Sequence, residues 1–435
     1  MDILRIATAG SVDDGKSTLI GRLLYETRSV PKDKLEAIDA ASKRRGVDFL
    51  DLSLLTDGLI AEREQGITID VAHVYFSTPK RKYIIADTPG HFEYTRNMVT
   101  GASKASVSII LIDARNGIVE QTKRHYAIAA MLRVPKVIVC VNKMDLVQYS
   151  QIRFDEIVAA FQDQANTIKP SGQDIHFIPA SSLFGENITR ASAHMGWHEG
   201  PTLLAMLESA EARHQRKFAA RLQVQHVVRP RVLAATTKLH DYRGYAGRIS
   251  SGGFGVDDAI TVLPNERNSR ITTIERFGAP VQQAEAGDSV VIQLADDIDI
   301  SRGCLLAKPD EPIFQRKELR AKICWLDHTP MSASKTYLLQ HGVSRVRARV
   351  GQIHGVVNVA TQQVMDNPAQ LSLNEIGEAS FRLAQPIFAD AYANNPANGA
   401  FILIDEWSNT TAGVGFVEPI DKSELSPVVS IEAGI

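Results

Sequence analysis

Two patterns of apolar and polar residues divide the chain. In roughly the first two hundred residues, short apolar runs alternate with longer stretches of helical periodicity. The apolar runs lie near Ile3, Tyr83, Val107, Val137 and His176, and we predict a strand at each. An alternation of strands and helices is typical of an α/β domain with a doubly wound, mostly parallel sheet. We predict this fold for the N-terminal region.

The pattern changes after a polar, helix-like stretch at residues 208–220. Short β-rich runs punctuated by glycine and proline then follow, and residues 309–312 separate them into two groups. The runs are at 247–252, 288–294, 319–326, 344–350 and 378–383. Two small β-barrels fit this pattern best. We therefore predict domains at 1–215, 216–311 and 312–435, in keeping with the domain number expected for 435 residues.

A glycine-rich turn follows the first predicted strand and has the sequence Gly10-Ser11-Val12-Asp13-Asp14-Gly15-Lys16-Ser17-Thr18. It matches the P-loop pattern, in which backbone N–H groups surround phosphates. In that pattern Lys16 reaches the β- and γ-phosphates, and the Ser17 hydroxyl binds Mg²⁺. Asp14 receives no separate role. The motif predicts a nucleotide site without distinguishing ATP from GTP.

The sequence Asn142-Lys143-Met144-Asp145 follows another predicted strand and favours guanine. A carboxylate at Asp145 can accept hydrogen bonds from guanine N1–H and the 2-amino group, a donor pair that adenine lacks. We expect Asn142 and the stem of Lys143 to hold the base plane and the P-loop together. The sequence Ser181-Ser182-Leu183 follows the last predicted strand, where a backbone N–H can bind guanine O6. Together these motifs predict a GTP site.

The sequence Asp87-Thr88-Pro89-Gly90-His91 follows the strand near Tyr83. We expect Asp87 to bind the Mg²⁺ shell through water and the Gly90 N–H to contact the γ-phosphate. His91 is the candidate for orienting the attacking water. Upstream, residues 25–64 contain helical stretches at 34–42 and 50–63 and lead to Thr68, the candidate second hydroxyl ligand of Mg²⁺. Such segments are ordered by γ-phosphate and released on hydrolysis.

The net charge and the cysteine content limit the cellular location and the classes of partner that we predict for the protein. A net charge of −2 gives no overall electrostatic reason to bind nucleic acid, although a local basic patch stays compatible with it. The three cysteines form no C-x-x-C pair, which suggests reduced thiols. We find no basic leader and no apolar run of membrane-spanning length. These features predict a cytoplasmic protein with neither membrane nor nucleic acid as partner.

The motifs at 10–16, 66–69 and 87–91 resemble the translation-factor branch of GTPases, which includes elongation factor Tu and elongation factor 1-alpha. The resemblance is closer to the GTPase subunit of bacterial sulfate adenylyltransferase. Residues 10–24 resemble that family's opening segment, whereas elongation factors usually have histidine where Ser11 stands. Segments 241–247, 401–405 and 415–417 also resemble it, so the similarity extends over nearly the whole chain.

This resemblance implies a P-loop GTPase domain followed by two β-barrels, with GTP and Mg²⁺ as cofactors. It implies a hetero-oligomer with a separate catalytic subunit of the ATP-pyrophosphatase type. That subunit joins sulfate to AMP from ATP, giving adenosine 5′-phosphosulfate and pyrophosphate, and GTP hydrolysis offsets the cost. The site residues that carry over are Lys16, Ser17, Thr68, Asp87, Gly90, His91, Asn142, Lys143, Asp145 and Ser181. Of these, His91, Lys16 and Gly90 are implied to be catalytic.

Some alternatives stay open at this point. An elongation-factor-type GTPase that delivers aminoacyl-tRNA would share the fold and the GTP residues, but Ser11 and the barrel similarities disfavour it. A P-loop ATPase is disfavoured by Asp145. Some relatives carry a fused kinase after the third domain; the sequence ends at Ile435, so either no fusion exists or the chain is truncated.

Two further patterns have simpler interpretations. Arg345, Arg347 and Arg349 alternate along one predicted strand and fall on one face, which could contact RNA or an acidic partner but is more simply a solvated face. His194 and His198 have helical zinc spacing, yet Gly196 interrupts it and no acidic partner is in place. We therefore expect no zinc site there.

Overall fold

The structure of the chain is a computed structural model. The structure describes residues 2–44, 50–55, 71–89, 95–212, 218–229, 242–311, 313–357 and 364–419. The described residues up to 212 belong to one compact unit, and those from 218 onward belong to a second. The predicted site residues Thr68, Gly90 and His91 lie outside the described residues. The predicted domain boundaries after 215 and 311 stay predictions.

A six-stranded sheet forms the centre of the first unit. Its strands are β1 (Ile3–Ala9), β2 (Ala72–Ser77), β3 (Lys82–Asp87), β4 (Val107–Asp113), β5 (Lys136–Asn142) and β6 (Asp174–Pro179). They lie in the order β2-β3-β1-β4-β5-β6, and all pairs are parallel except β2 with β3. The five parallel strands confirm the prediction. The strand β2 was not predicted, because it lies at the edge of the sheet and its alternate residues are exposed.

The helices of this unit are α1 (Lys16–Glu26), α2 (Lys32–Arg44), α3 (Thr95–Ala102), α4 (Glu120–Met131), α5 (Gln151–Ile168) and α6 (Leu203–Ser209). Apolar residues of α1 and α6 share one core cluster with the sheet. The predicted helix at 34–42 is confirmed by α2. In the stretch predicted at 50–63, the described part holds only a short 3-10 turn, Leu52–Leu55.

In its described part, the helix-like stretch predicted at 208–220 is wrong beyond Ser209. The helix α6 ends at Ser209, and residues 218–220 are irregular. The reason is that Leu203, Met206 and Leu207 provide buried residues at helical spacing. The polar residues that follow offer no such stripe to bury.

The second unit begins with a closed barrel. Its strands are β7 (Arg221–Gln223), β8 (His226–Val228), β9 (Gly244–Ser251), β10 (Gly253–Gly255), β11 (Ala259–Leu263), β12 (Arg267–Arg276), β13 (Ala279–Val281), β14 (Gln283–Glu285), β15 (Ser289–Leu294) and β16 (Leu305–Ala307). The order β11-β16-β7-β9-β15-β12 is closed by pairing of β11 with β12. The barrel therefore has no open edge in this ring.

A second closed barrel follows. Its strands are β17 (Gln315–Trp325), β18 (Met331–Ser332), β19 (Thr336–His341), β20 (Ser344–Val357), β21 (Val364–Asp366), β22 (Gln370–Leu371), β23 (Ile376–Phe388), β24 (Ala400–Ile404) and β25 (Thr411–Val417). The order β19-β24-β25-β17-β23-β20 is closed by pairing of β19 with β20. The two barrels confirm the predicted β-rich architecture, because alternate residues of each long strand fill a separate core.

A buried ionic network joins the two barrels. Arg221 in β7 is fully buried, and its Nε and one Nη donate to the Asp390 carboxylate at 3.2 Å each. Asn395 Nδ2 also donates to Asp390, at 3.0 Å, and to Ser251 Oγ, at 2.9 Å. Because breaking a buried ion pair leaves an uncompensated charge, this network holds the barrels in one arrangement.

Two expectations from composition concern the described residues. Cys140, Cys304 and Cys324 are all buried and form no disulfide with one another, in keeping with the predicted reduced thiols. None of the helices in the described ranges is both long enough and apolar enough to cross a membrane.

Candidate nucleotide site

The predicted motifs meet at one edge of the parallel sheet. Residues 10–15 follow β1, residues 88–89 follow β3, Lys143 follows β5, and residues 180–183 follow β6. The strand β1 lies between β3 and β4. The sheet extends from β1 through β3 to β2 on one side and through β4 and β5 to β6 on the other, so the strand order reverses direction at β1. The crevice at such a reversal, at the carboxyl ends of the strands, is where open α/β sheets bind ligands.

The P-loop has the backbone shape that its glycines predict. Gly15 has φ of +94°, and a Cβ there would lie 2.5 Å from Asn142 Nδ2. Only glycine fits this position. Directly after it, α1 begins at Lys16 with no side-chain cap and no acidic residue in its first turn. The N–H groups and dipole of this helix end are therefore available to an anion.

Lys16 is a buried cation at this helix end. Its Nζ donates to the carbonyl oxygens of Gly10, at 2.7 Å, and Ser11, at 3.1 Å. Burial lowers the pKa of Lys16, and the nearby carboxylate of Asp87 opposes that shift. A buried charge bonded to neutral acceptors gains most from an anionic partner. The site therefore fits a phosphate group.

Asp14 stabilises the shape of the loop. Its carboxylate accepts a hydrogen bond from the Ser11 N–H at 2.6 Å, and its carbonyl oxygen accepts from Asn142 Nδ2 at 2.7 Å. Burial raises the pKa of Asp14, whereas the bond from Ser11 and the charge of Lys16 lower it. Asp14 thus acts inside the loop, a role that the sequence analysis missed because the pattern allows any residue there.

Asn142 connects the P-loop with the loop after β6. Besides donating to the Asp14 carbonyl, its Oδ1 accepts from the backbone N–H and the hydroxyl of Ser182, at 2.9 Å each. The side chain is almost completely buried. Asn142 therefore links the two segments that are predicted to bind the phosphates and the guanine.

The predicted guanine part of the site consists of Asp145 and the loop after β6. Asp145 is half-buried, and its Oδ1 accepts from Ser181 Oγ at 2.5 Å. From α1, Arg22 donates to the carbonyl oxygens of Ser182 and Leu183. These bonds hold the loop beside Asp145 and against α1. The sequence analysis did not identify Arg22, whose partners lie about 160 positions away.

Lys143 is held by a carboxylate that the sequence analysis also missed. Its backbone has φ of +60°, and its Nζ lies 3.1 Å from Asp113 Oδ2 at the end of β4. Arg115 donates to the same carboxylate from its backbone N–H at 2.9 Å, its Nε at 3.0 Å and one Nη at 2.6 Å. Burial opposes ionisation of Asp113, but these donors outweigh it and lower its pKa to about 2. Asp113 could have been suspected, because it ends a strand beside Asn142.

We expect Asp113→Asn to weaken GTP and GDP binding by about tenfold, because Lys143 loses the charge that fixes its stem. The variant should also lose up to about 2 kcal/mol of stability at neutral pH. Since the folded-state pKa is lowered, this contribution exists above about pH 4 and disappears as the pH falls toward 2. Urea unfolding of both proteins across this range checks it. Equal stability at pH 7 would contradict the ion-pair role.

The residues predicted to bind Mg²⁺ are only partly described. Asp87 is buried, and its Oδ1 accepts from Thr8 Oγ1 at 3.0 Å. Ser17 lies in the first turn of α1, beside Lys16. A hydroxyl and a carboxylate, completed by water and phosphate oxygens, suit a hard cation such as Mg²⁺. The described residues contain no group of three or more His, Cys, Asp or Glu side chains that could hold a metal by themselves.

The histidine pair with zinc spacing is packed in other ways. His194 stacks on Tyr149 with 4.7 Å between ring centroids and lies 3.2 Å from Glu186 Oε1. His198 contacts Phe154 and Trp197, and neither histidine lies in a helix. The helical spacing of the two histidines therefore has no structural basis.

Comparison with known proteins identifies the family. Residues 1–225 match the family model described as elongation factor Tu GTP binding domain, and residues 318–418 match the model described as GTP-eEF1A C-terminal domain-like. Sulfate adenylyltransferase subunit 1 of Erwinia tasmaniensis is 45% identical over 420 residues, which are 95% of this chain and 86% of that protein. The chain belongs to the sulfate adenylyltransferase subunit 1 family.

Other members of the sulfate adenylyltransferase subunit 1 family give the same result. The protein of Shewanella woodyi is 42% identical over 423 residues, which are 97% of this chain and 88% of that protein. The bifunctional enzyme CysN/CysC of Mycobacterium tuberculosis is 45% identical over 95% of this chain, which spans 67% of that protein. These matches confirm the family and fold predicted from the sequence. They give less support to the alternative, an elongation-factor-type GTPase that delivers aminoacyl-tRNA.

Proposed function

We propose that this chain is the GTPase subunit of a sulfate adenylyltransferase. GTP hydrolysis on this subunit is coupled to adenylyl transfer from ATP to sulfate on a separate catalytic subunit, giving adenosine 5′-phosphosulfate and pyrophosphate. One observation supports the nucleotide assignment above the others: Asn142 joins the P-loop to the guanine loop through three hydrogen bonds. Family membership supports the reaction.

The phosphate part of the site carries the hydrolysis. Lys16 neutralises charge that develops between the β- and γ-phosphates, and the N–H groups of the P-loop and α1 hold the phosphates in line. We expect Ser17, Thr68 and, through water, Asp87 to hold Mg²⁺, which would supply Lewis-acid polarisation of the phosphate oxygens. Gly90 contacts the γ-phosphate through its N–H, and His91 orients the attacking water.

The guanine part of the site selects the nucleotide. Asp145 accepts from guanine N1–H and the 2-amino group, the stem of Lys143 packs on the base, and backbone N–H groups of 181–183 bind O6. An adenine base would leave the Asp145 carboxylate without its donors, which is costly in a partly buried site. The site therefore selects GTP over ATP.

The adenylyl transfer itself belongs to the partner. The sequence contains a single P-loop, which the guanine motifs reserve for GTP. ATP and sulfate therefore react elsewhere. The family resemblance implies that they react on a catalytic subunit of the ATP-pyrophosphatase type, in a cytoplasmic hetero-oligomer. Because the phosphosulfate anhydride is unfavourable to form, the free energy of GTP hydrolysis drives the coupled reaction.

The test is GTP hydrolysis by the purified chain, alone and with the candidate catalytic subunit, in the presence and absence of ATP and sulfate. We expect strong stimulation only when the partner and both of its substrates are present. A control with ATP and sulfate but no partner should stay at the basal rate. Stimulation by ribosomes and aminoacyl-tRNA instead would overturn the proposal in favour of a translation factor.

We expect His91→Ala to keep GTP binding and to lower hydrolysis by at least roughly tenfold, because the attacking water loses its positioning group. Single-turnover hydrolysis with the chain in excess over GTP isolates this step. His176→Ala is the matched control, since that histidine lies at the exposed start of β6 and pairs with Asp174. An unchanged single-turnover rate would remove His91 from the mechanism.

A further inference from the structure

Trp407 is exposed to an extent that the fold does not explain. Its exposed fraction is 94%, although tryptophan is usually well buried. The residue lies in the loop between β24 and β25, and Asp405 holds this loop: its Oδ1 accepts from the backbone N–H groups of Trp407 and Ser408 at 3.0 Å each. Asp405 N–H donates to the Thr410 carbonyl oxygen at 3.0 Å. The loop is built to present the indole to solvent.

A row of arginines lies on the same outer surface of the barrel. Arg345, Arg347 and Arg349 are exposed on β20, as predicted, while the alternating residues point into the core. The strand order runs from β20 through β19 to β24. Arg347 pairs with Leu338, which pairs with Ile404, the last residue before the Trp407 loop. Arg347 Nε also lies 2.9 Å from Glu406 Oε1, so the arginine row and the loop are in direct contact.

We propose that this surface, the Arg–Trp face of Arg345, Arg347, Arg349 and Trp407, docks the catalytic subunit of the complex through an acidic surface with an apolar recess. The inference rests on the proposed function, which requires such a partner. Tryptophan and arginine are the residues that most often dominate binding energy at protein interfaces. Leu338 and Ile402, both half-buried on the intervening strands, provide apolar area between them.

Charge favours an acidic occupant. The acidic residues of the face are Glu406 and Asp405, and these are already engaged by Arg347 at 2.9 Å and by Lys335 at 3.5 Å. Arg345 donates to the neutral amide oxygen of Gln340 and keeps its charge uncompensated there. The face is therefore net positive. An acidic partner surface gains both steering and specificity from it.

Two other occupants fit the observations less well. A second copy of this chain would bring the arginine rows of both copies together across a two-fold axis, because such an interface pairs a surface with itself. RNA is usually bound through a larger set of basic side chains, and this row has three arginines, one of them paired with Glu406. The catalytic subunit is thus the occupant that the charges favour.

The experiment uses two variants of the full chain. One is Trp407→Ala, and the other is a double variant that carries both Arg345→Ala and Arg349→Ala. Phe277→Ala is the matched control, because Phe277 is 95% exposed at the turn between β12 and β13 on the other barrel. Calorimetry measures binding to the purified catalytic subunit at two salt concentrations. We expect each Arg–Trp variant to raise Kd at least about tenfold. The control should stay within about twofold, and the double variant should lose salt dependence.

Basal GTP hydrolysis should be unchanged in all variants, and stimulation should recover at saturating partner, because docking and not the nucleotide site is altered. The docking surface is overturned if Trp407→Ala has the wild-type Kd, or if Phe277→Ala loses as much affinity for the catalytic subunit as Trp407→Ala does. In either case, stimulation of the wild-type chain by the catalytic subunit leaves the proposed function in place. A wild-type chain that does not bind the catalytic subunit overturns both. Loss of tRNA binding in a gel shift, without loss of subunit binding, overturns the proposal in favour of RNA.

Discussion

Asp145→Asn is expected to lower the affinity for GTP at least about a hundredfold and to raise the affinity for xanthosine triphosphate. A site that hydrogen-bonds a specific base rejects bases that leave its polar groups unpaired. Xanthine has a carbonyl oxygen where guanine has its 2-amino group. An asparagine amide can donate to that oxygen and still accept from N1–H, so the variant restores with xanthine what it loses with guanine.

The geometry favours a local effect. Ser181 Oγ donates to Asp145 Oδ1 at 2.5 Å, and the amide oxygen of an asparagine can accept this bond equally well. The loop after β6 should therefore keep its shape. Fluorescent GDP and competing GTP, ATP and xanthosine triphosphate measure the affinities. Asp155→Asn, an exposed carboxylate on α5, is the control. If Asp145→Asn left the affinities for GTP and xanthosine triphosphate unchanged, the guanine assignment would be wrong.

The part of the site that could be predicted from sequence consists of short motifs at strand ends. Gly15 is required because its φ is +94°, and Lys16, the next residue, is the first residue of α1. These residues of the P-loop are neighbours in the sequence, so a short motif can predict them. Asn142 follows the same rule, because parallel strands bring their carboxyl ends to one edge. The barrels were predictable because alternation of apolar and polar residues is a local property of each strand.

The parts that the sequence did not reveal depend on contacts between distant residues. Arg221 looks like a surface arginine until Asp390, 169 positions further on, is found beside it. Arg22 is similarly unremarkable until it reaches the loop after β6. Asp113 and the role of Asp14 inside the P-loop were missed for another reason: their carboxylates bind the protein's own Lys143 and Ser11. A motif describes what touches the ligand and leaves such supporting groups undefined.

Lys16→Met is expected to lower GTP hydrolysis by about 10²–10³, the loss typical of removing one donor to developing charge. It should also abolish most of the thermal stabilisation that GTP confers, since a ligand stabilises a fold by RT ln(1 + [L]/Kd) and this variant raises Kd. Methionine keeps the apolar stem that is buried beneath the P-loop. Lys136→Met, at the opposite end of β5 and half-exposed beside Asp174, is the control.

The nucleotide-free protein gives the sharper readout. In the described residues the Lys16 ammonium is bonded to the carbonyl oxygens of Gly10 and Ser11 and forms no ion pair with a carboxylate. A buried charge so arranged costs stability, as the lowered pKa of Lys16 indicates. Lys16→Met should therefore be as stable as the wild type without GTP, or more stable. A variant that was less stable without GTP would mean that Lys16 supports the fold, and its loss of hydrolysis would no longer identify the phosphate site.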